Sequence, residues 1–449
     1  MKLNKIILFF TAILFTTVAC DKYLDLEPSQ DISEDLALDT DKNVKSVLIG
    51  AYSIFDNPEL YGGNILTWSE LLGGDDEISW EGTYTGPREI FNKQINAGNE
   101  EVRWQWLSAY RTINIVNNVL TALAVVNEAD RDRVEGEALF LRSLMYFDLA
   151  RFFGLPYEAG QTNTQLAVPL VLKPTKGITG ENKVFRNTVE QVYERVIDDL
   201  TIAANKLPAI NSVYATSGAA KALLARVYLQ KGDYQAARNL ANEAIGSATY
   251  SLRPTYAQVF NNDTKSTEDI FITEITSQDR SSAMTELWSI PMYGGRSGDV
   301  VILEGHLNLY DPMDDRLALF FTNTGRVFSG KWNNLYGVVN LIRLAEMYLI
   351  RAEGNFRLSQ ELGATPTADI NTLRERAGFG PNYFSSVTLD DILLERRLEL
   401  AHEGHKIHEM KRLKQNVGPR VYNAPELVFP IPFREIEANE NLIQNEGYN

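Results

Sequence analysis

Cysteine is almost missing. The one residue, Cys20, lies near the start of a 449-residue chain, so no disulfide can form within it. Histidine is nearly as scarce, with four in all. Three of them, His402, His405 and His408, sit beside Glu403, but the second comes one residue too early for His-Glu-x-x-His. Steps of three residues turn each ring about 60° further round a straight helix, which predicts a partly exposed helix face rather than a zinc centre. Basic residues are outnumbered, 43 Lys and Arg against 59 Asp and Glu, and the net charge of -16 excludes the clustered basic surface that a nucleic-acid partner needs. There is no phosphate loop either: Gly294-Gly295-Arg296-Ser297-Gly298 lacks the spacing. No Ser, Cys or His arrangement suggests a nucleophile. Two carboxylates facing across a cleft would support a glycosidase, but Asp198-Asp199 and Asp390-Asp391 read as a solvated helix face and a helix start.

Long apolar runs are also few. Ile6 to Val18, preceded by Lys2 and Lys5, is too short to span a bilayer and fits the core of a signal peptide. Cys20 follows Ala19 directly, and the segment resembles a bacterial lipoprotein signal: residues 1–19 are removed and Cys20 becomes the lipidated N-terminus. No other segment is long and apolar enough to cross, so the expectation is a body held to a membrane by lipid alone.

What the chain does have is helical periodicity. Thr216 to Ile245 reads as two helices about a turn at Lys231-Gly232-Asp233. Leu224, Ala225 and Tyr228 share one face, and Tyr234, Ala237, Ala241 and Ala244 share another. Gly232 suits a left-handed C-terminal residue and Asp233 an N-cap. The order resembles a tetratricopeptide repeat, which cannot bury its apolar face alone. Further helices are expected from Thr40 or Asp41 to Phe55, Glu101 to Val126, Arg131 to Phe153, Thr188 to Leu207, Asn340 to Leu358, Thr367 to Gly378 and Leu389 to about Leu413, the last bent at Gly404. Trp104, Trp106, Tyr110, Tyr228 and Tyr348 lie in helical register and are assigned to the core. Ala167 to Leu172 and Asp269 to Ile275 read as strands.

The period fails in two long excursions, about 57–99 and 250–335, both rich in Gly and rings. A pyranose has an apolar face that packs on an aromatic plane and hydroxyls that seek polar partners. The candidates for stacking are Trp80, Tyr84, Trp288, Tyr293 and Trp332, with Asp75, Asp76, Arg296 and Asn333 as hydroxyl partners. Each ring could instead pin its own loop to the scaffold.

Seven stretches in order resemble the SusD/RagB family of Bacteroidetes lipoproteins: DKYLDLEPSQD after Cys20, EGEALFLRSLMYFDLARFFG, GAAKALLARVYLQKGDYQAARNLANEAI, LIRLAEMYLIRAEGNFRL, NTLRERAGF, ERRLELAHEGHKIHEMKRL and VFPIPFREIEANENLIQNEGY. Glu440 and Glu446 stand where the family often has Pro. The resemblance implies a mainly α fold in which residues 20–449 form a single domain. About four tetratricopeptide-like pairs would build the scaffold, over about 101–153, 188–249 and 340–414. It further implies anchoring at the outer face of the outer membrane, a SusC-like TonB-dependent transporter as partner, a glycan or sometimes a peptide as ligand, and neither cofactor nor catalytic residues.

Overall fold

The computed structural model describes residues 38–448 except 178 and 279; Cys20 and the expected signal lie outside them. Helix α1 (Asp41–Phe55) starts where Thr40 Oγ1 accepts the N–H of Asn43. Helices α4 (Glu100–Thr121), α5 (Glu128–Phe153), α6 (Val189–Lys206), α7 (Ser217–Lys231) and α8 (Tyr234–Ile245) follow the apolar periods closely. Gly232 is left-handed at φ +78°, and Asp233 accepts from the Ala236 amide, so the α7–α8 turn forms for the reasons its residues suggest. Each helix packs on the next in the series α1, α4, α5, α6, α7, α8, α11 (Leu344–Leu358), α12 (Pro366–Arg376), which divides into four pairs. The buried alanines 219, 220, 222, 225, 237 and 241 let these axes approach.

Four expectations are corrected. Residues 167–172 form no strand, only a bridge from Leu166 to Thr188. The start of the expected 340–358 helix is strand β6 (Val338–Arg343), antiparallel to β2 (Asp269–Glu274), and every residue of β6 is buried. The 389–413 helix is two, α13 (Leu389–Glu399) and α14 (Lys406–Arg412). His402 at φ +63° and Gly404 at φ +83° break it, and Leu66 fills the space where a Cβ on Gly404 would lie. The first excursion is more regular than expected, holding α2 (Asn64–Gly73), β1 (Ile78–Trp80) and α3 (Thr85–Asn92).

The second excursion carries α9 (Ala283–Trp288), β3 (Val300–Ile302), α10 (Glu304–Leu307), β4 (Phe320–Asn323) and β5 (Arg326–Ser329). A four-stranded antiparallel sheet in the order β1-β3-β5-β4 joins the two excursions, with Ile78 opposite Ile302 and Trp80 opposite Val300. Two segments far apart in sequence thus present one face. A buried ionic cluster fastens the second excursion to β6, α12 and α13. Arg343 meets Glu268, Glu399 and Glu403 at 2.9, 2.8 and 2.6 Å; Arg316 meets Asp314 and Glu395, each at 2.7 Å. Arg374, Arg376 and Lys331 complete five cations against the five carboxylates of Glu268, Asp314, Glu395, Glu399 and Glu403, so the cluster is neutral.

Candidate functional site

The face is built on tryptophans that point inward. Trp288, at the end of α9, is fully buried; its indole N–H donates to Thr67 Oγ1 at 3.0 Å and its ring lies 5.0 Å from that of His402. Trp80 on β1 is buried beneath Gly82, where a Cβ would come within 2.5 Å of the indole. Trp332 is buried beside Phe260, 6.2 Å between ring centres. The expectation that these three stack on a ligand is therefore corrected: no face of any of them is open to a sugar, and they hold the excursions to the frame. Trp104, assigned to the core, is the reverse case, 45% exposed on α4 with Arg103 over its ring.

Two of the five candidate rings remain outside. Tyr84, the residue before α3, is 49% exposed, and Tyr293, in the turn after α9, is 37% exposed. Arg296 joins them: its guanidinium lies 3.5 Å from the centre of the Tyr84 ring, donates to Thr83 Oγ1 at 3.2 Å, and is three residues from Tyr293 on the same turn. Asp299, buried beneath, meets Arg296 Nε at 3.5 Å and fixes that arm. Asn333 is half-buried and structural, its amide oxygen accepting from Ser289 Oγ at 2.6 Å. Residues overlooked in sequence complete the surface: Phe321 on β4, edge-on to Tyr293 at 5.6 Å; exposed Arg88, donating to the carbonyl of Gly82 at 2.7 Å; and exposed Met292, next to Tyr293. Arg88 and Phe321 carry no signal beyond their type, because only strand pairing brings β4 to Tyr293. The surface offers tyrosine faces and guanidinium donors.

Asp75 and Asp76 lie elsewhere. They are exposed before β1, whereas Tyr84 follows it, so the strand separates them from the tyrosines. They border a polar hollow of about 270 Å³ with Gln415 and Asn416, which shares Glu77, Arg397 and Lys406 with a second hollow of about 230 Å³. Glu77 accepts from His306 Nδ1 at 2.9 Å and pairs with Arg397 and Lys406. Burial alone would raise its carboxyl, but these three partners outweigh it and hold Glu77 well below the usual range. Nearby, Glu70 Oε1 accepts the amides of Gly404, His405 and Lys406 at 2.8, 3.0 and 3.3 Å, while burial pushes its carboxyl up to about 7.

The histidines are not an exposed helix face. His402 and His408 are buried and His405 half-buried, on a turn and the short α14. Burial drives His405 down to about 3, and His402 and His408 well below their ordinary value, so all three are neutral. Among the described residues no group of three His, Cys, Asp or Glu is placed to hold a metal ion. Of the acidic pairs, Asp199 is buried on Arg142 at 2.7 Å rather than solvated, while Asp391 closes a capping box with Thr388, as a helix start should.

Two family models match this chain. One, described as starch-binding and associating with the outer membrane, covers residues 22–229; the other, the SusD family, covers residues 321–426. A SusD-like protein P2 of Formosa agariphila is 26% identical, with 98% of this chain and 99% of that protein aligned. A solved SusD superfamily protein from Bacteroides thetaiotaomicron superposes with a TM-score of 0.80 at 26% identity, covering 90% of this chain and 99% of the other. A laminarin binding SusD-like protein superposes at 0.72 with 24% identity, covering 91% and 100%. The mainly helical frame, the loop-built face and these matches agree: the chain belongs to the SusD family.

Proposed function

We propose that this protein captures an oligosaccharide at the Tyr84–Arg296–Tyr293 surface and passes it to a SusC-like TonB-dependent transporter, without chemistry of its own. The observation that carries the reading is the arrangement of this surface: two exposed tyrosines on a face built from both excursions, with a guanidinium fixed from below lying over the ring of Tyr84. Ring faces take the apolar side of a pyranose, and Arg296, Arg88 and Thr83 supply hydroxyl partners. The family description of starch binding at the outer membrane supports the same ligand class. Lipid on Cys20 supplies the anchor; among the described residues no helix is long and apolar enough to cross a membrane. Cys20→Ala should move the protein out of the membrane fraction, and its retention there would remove the anchor from the account.

A second reading, capture of an extended peptide, is favoured by one feature. Strand β4 ends the sheet, so among the described residues its outer edge at Phe320–Asn323, beside Tyr293, has no strand partner, as strand addition requires. Titration calorimetry of residues 20–449 against oligosaccharides and peptides separates the two. Heat with oligosaccharides that is lost in Tyr84→Ala supports the first; heat with peptides alone overturns it.

A further inference from the structure

The hollow of about 230 Å³ behind Glu77 is distinct from the tyrosine surface, and the glycan reading makes no use of it. Its walls come from four places: α2 and β1 of the first excursion, His306 on α10 of the second, α13, and α14 with the turn before it. Ile78, Leu393, Leu394, Leu400, Met410 and Leu413 make most of the lining apolar. Its cations are already matched. Arg396, Arg397 and Lys406 stand against four carboxylates, Glu70, Glu77, Asp390 and Glu409; Arg397 and Lys406 pair with Glu77, and Arg396 meets Glu409 at 3.0 Å. Asp390 and Arg397 are exposed at the rim. An anionic ligand would enter with no cation left for it, and an unpaired buried charge is costly.

Hydrogen-bonding capacity, by contrast, is unused. Glu70 is 5% exposed, and all three of its hydrogen bonds fall on Oε1, so Oε2 accepts none among the described residues. His405 lines the same hollow, and neither of its ring nitrogens has a partner among the described residues; only its backbone N–H is bonded. Burial keeps that imidazole neutral, so it offers one donor and one acceptor. A hydroxyl matches both groups.

We propose that this hollow is a second ligand site, which takes a compact molecule with an apolar body and a hydroxyl, of the phenol class, its hydroxyl bonded by His405 and Glu70 and its body against Leu393, Leu394 and Met410. The site is independent of the tyrosine surface, since the two share no residue named for either.

The test uses residues 20–449 and two single-ring probes, phenol and benzoate, followed by ligand-observed NMR and calorimetry. Phenol should bind, with benzoate at least tenfold weaker. Leu394→Trp and, separately, Met410→Trp should fill the hollow and abolish phenol binding, while oligosaccharide binding stays unchanged. His405→Phe should weaken phenol about tenfold, the size of one lost hydrogen bond. Absence of phenol binding, equal binding of benzoate, or phenol binding that survives in a folded filled variant would each overturn the proposal.

Discussion

The α7–α8 pair and the anchorage of the second excursion solve the same problem in opposite ways. In the pair, small residues at helical spacing bring two axes together, and Ala219, Ala220, Ala225, Ala237 and Ala241 are fully buried. In the anchorage, Arg343 is buried among three carboxylates drawn from two distant stretches, Glu268 on one and Glu399 and Glu403 on the other. The first device is apolar, local and tolerant. The second is ionic and long-range, and removing any one member leaves a buried charge without its partner. A frame that must only be stiff can use the first; loops with no periodicity of their own need the second.

The comparison breaks most severely at its ionic side. Arg343→Met should cost about 3–5 kcal/mol in urea denaturation, because Glu268, Glu399 and Glu403 lose their shared cation. A loss under 1 kcal/mol would mean that water or a rearranged side chain replaces it. Acid should act next, on buried groups before α14 and on α11. Burial holds His405 down to about 3, so between the ordinary histidine value near 6.5 and pH 3 the unfolded chain binds protons that the folded chain refuses. Glu346, which burial alone would raise, is held down to about 2 by Arg226, and adds its own loss as pH falls below about 4.5. Stability present at pH 7 should therefore decline steadily toward pH 3, read as a falling urea midpoint. A flat profile would contradict the neutral, buried imidazoles. On the apolar side, Ala241→Leu should overpack the α7–α8 contact and cost about 1–3 kcal/mol, measured the same way.

How much of this was legible differs along the same line. The α7–α8 boundaries, the left-handed Gly232 and the Asp233 cap could be read because each depends on residues within one turn. Strand β6 could not: Val338, Val339, Leu341 and Ile342 run into α11 with no Gly or Pro at Arg343-Leu344, and a strand buried on both faces carries no alternation. Trp104 was legible and misassigned. The inward face of α4 runs through Val102, Trp106, Ala109, Ile113 and Val116, and residue 104 falls about 200° from residue 102, on the far side. The three inward tryptophans had no such signal, since a ring in an aperiodic loop does not announce which way it points. The ionic cluster was hidden for a related reason. Arg396-Arg397 and Glu395, Glu399 and Glu403 read locally as ordinary helix charges, and only the tertiary fold brings Arg316 and Arg343 to them.

The account stands on exposed tyrosines doing the binding while buried tryptophans hold the shape. Tyr84→Ala combined with Tyr293→Ala, titrated by calorimetry against an oligosaccharide that the unaltered protein binds, tests this most directly. Binding should fall at least tenfold while stability stays within about 0.5 kcal/mol of the parent, as exposed positions allow. Undiminished binding in that doubly substituted protein would contradict the account.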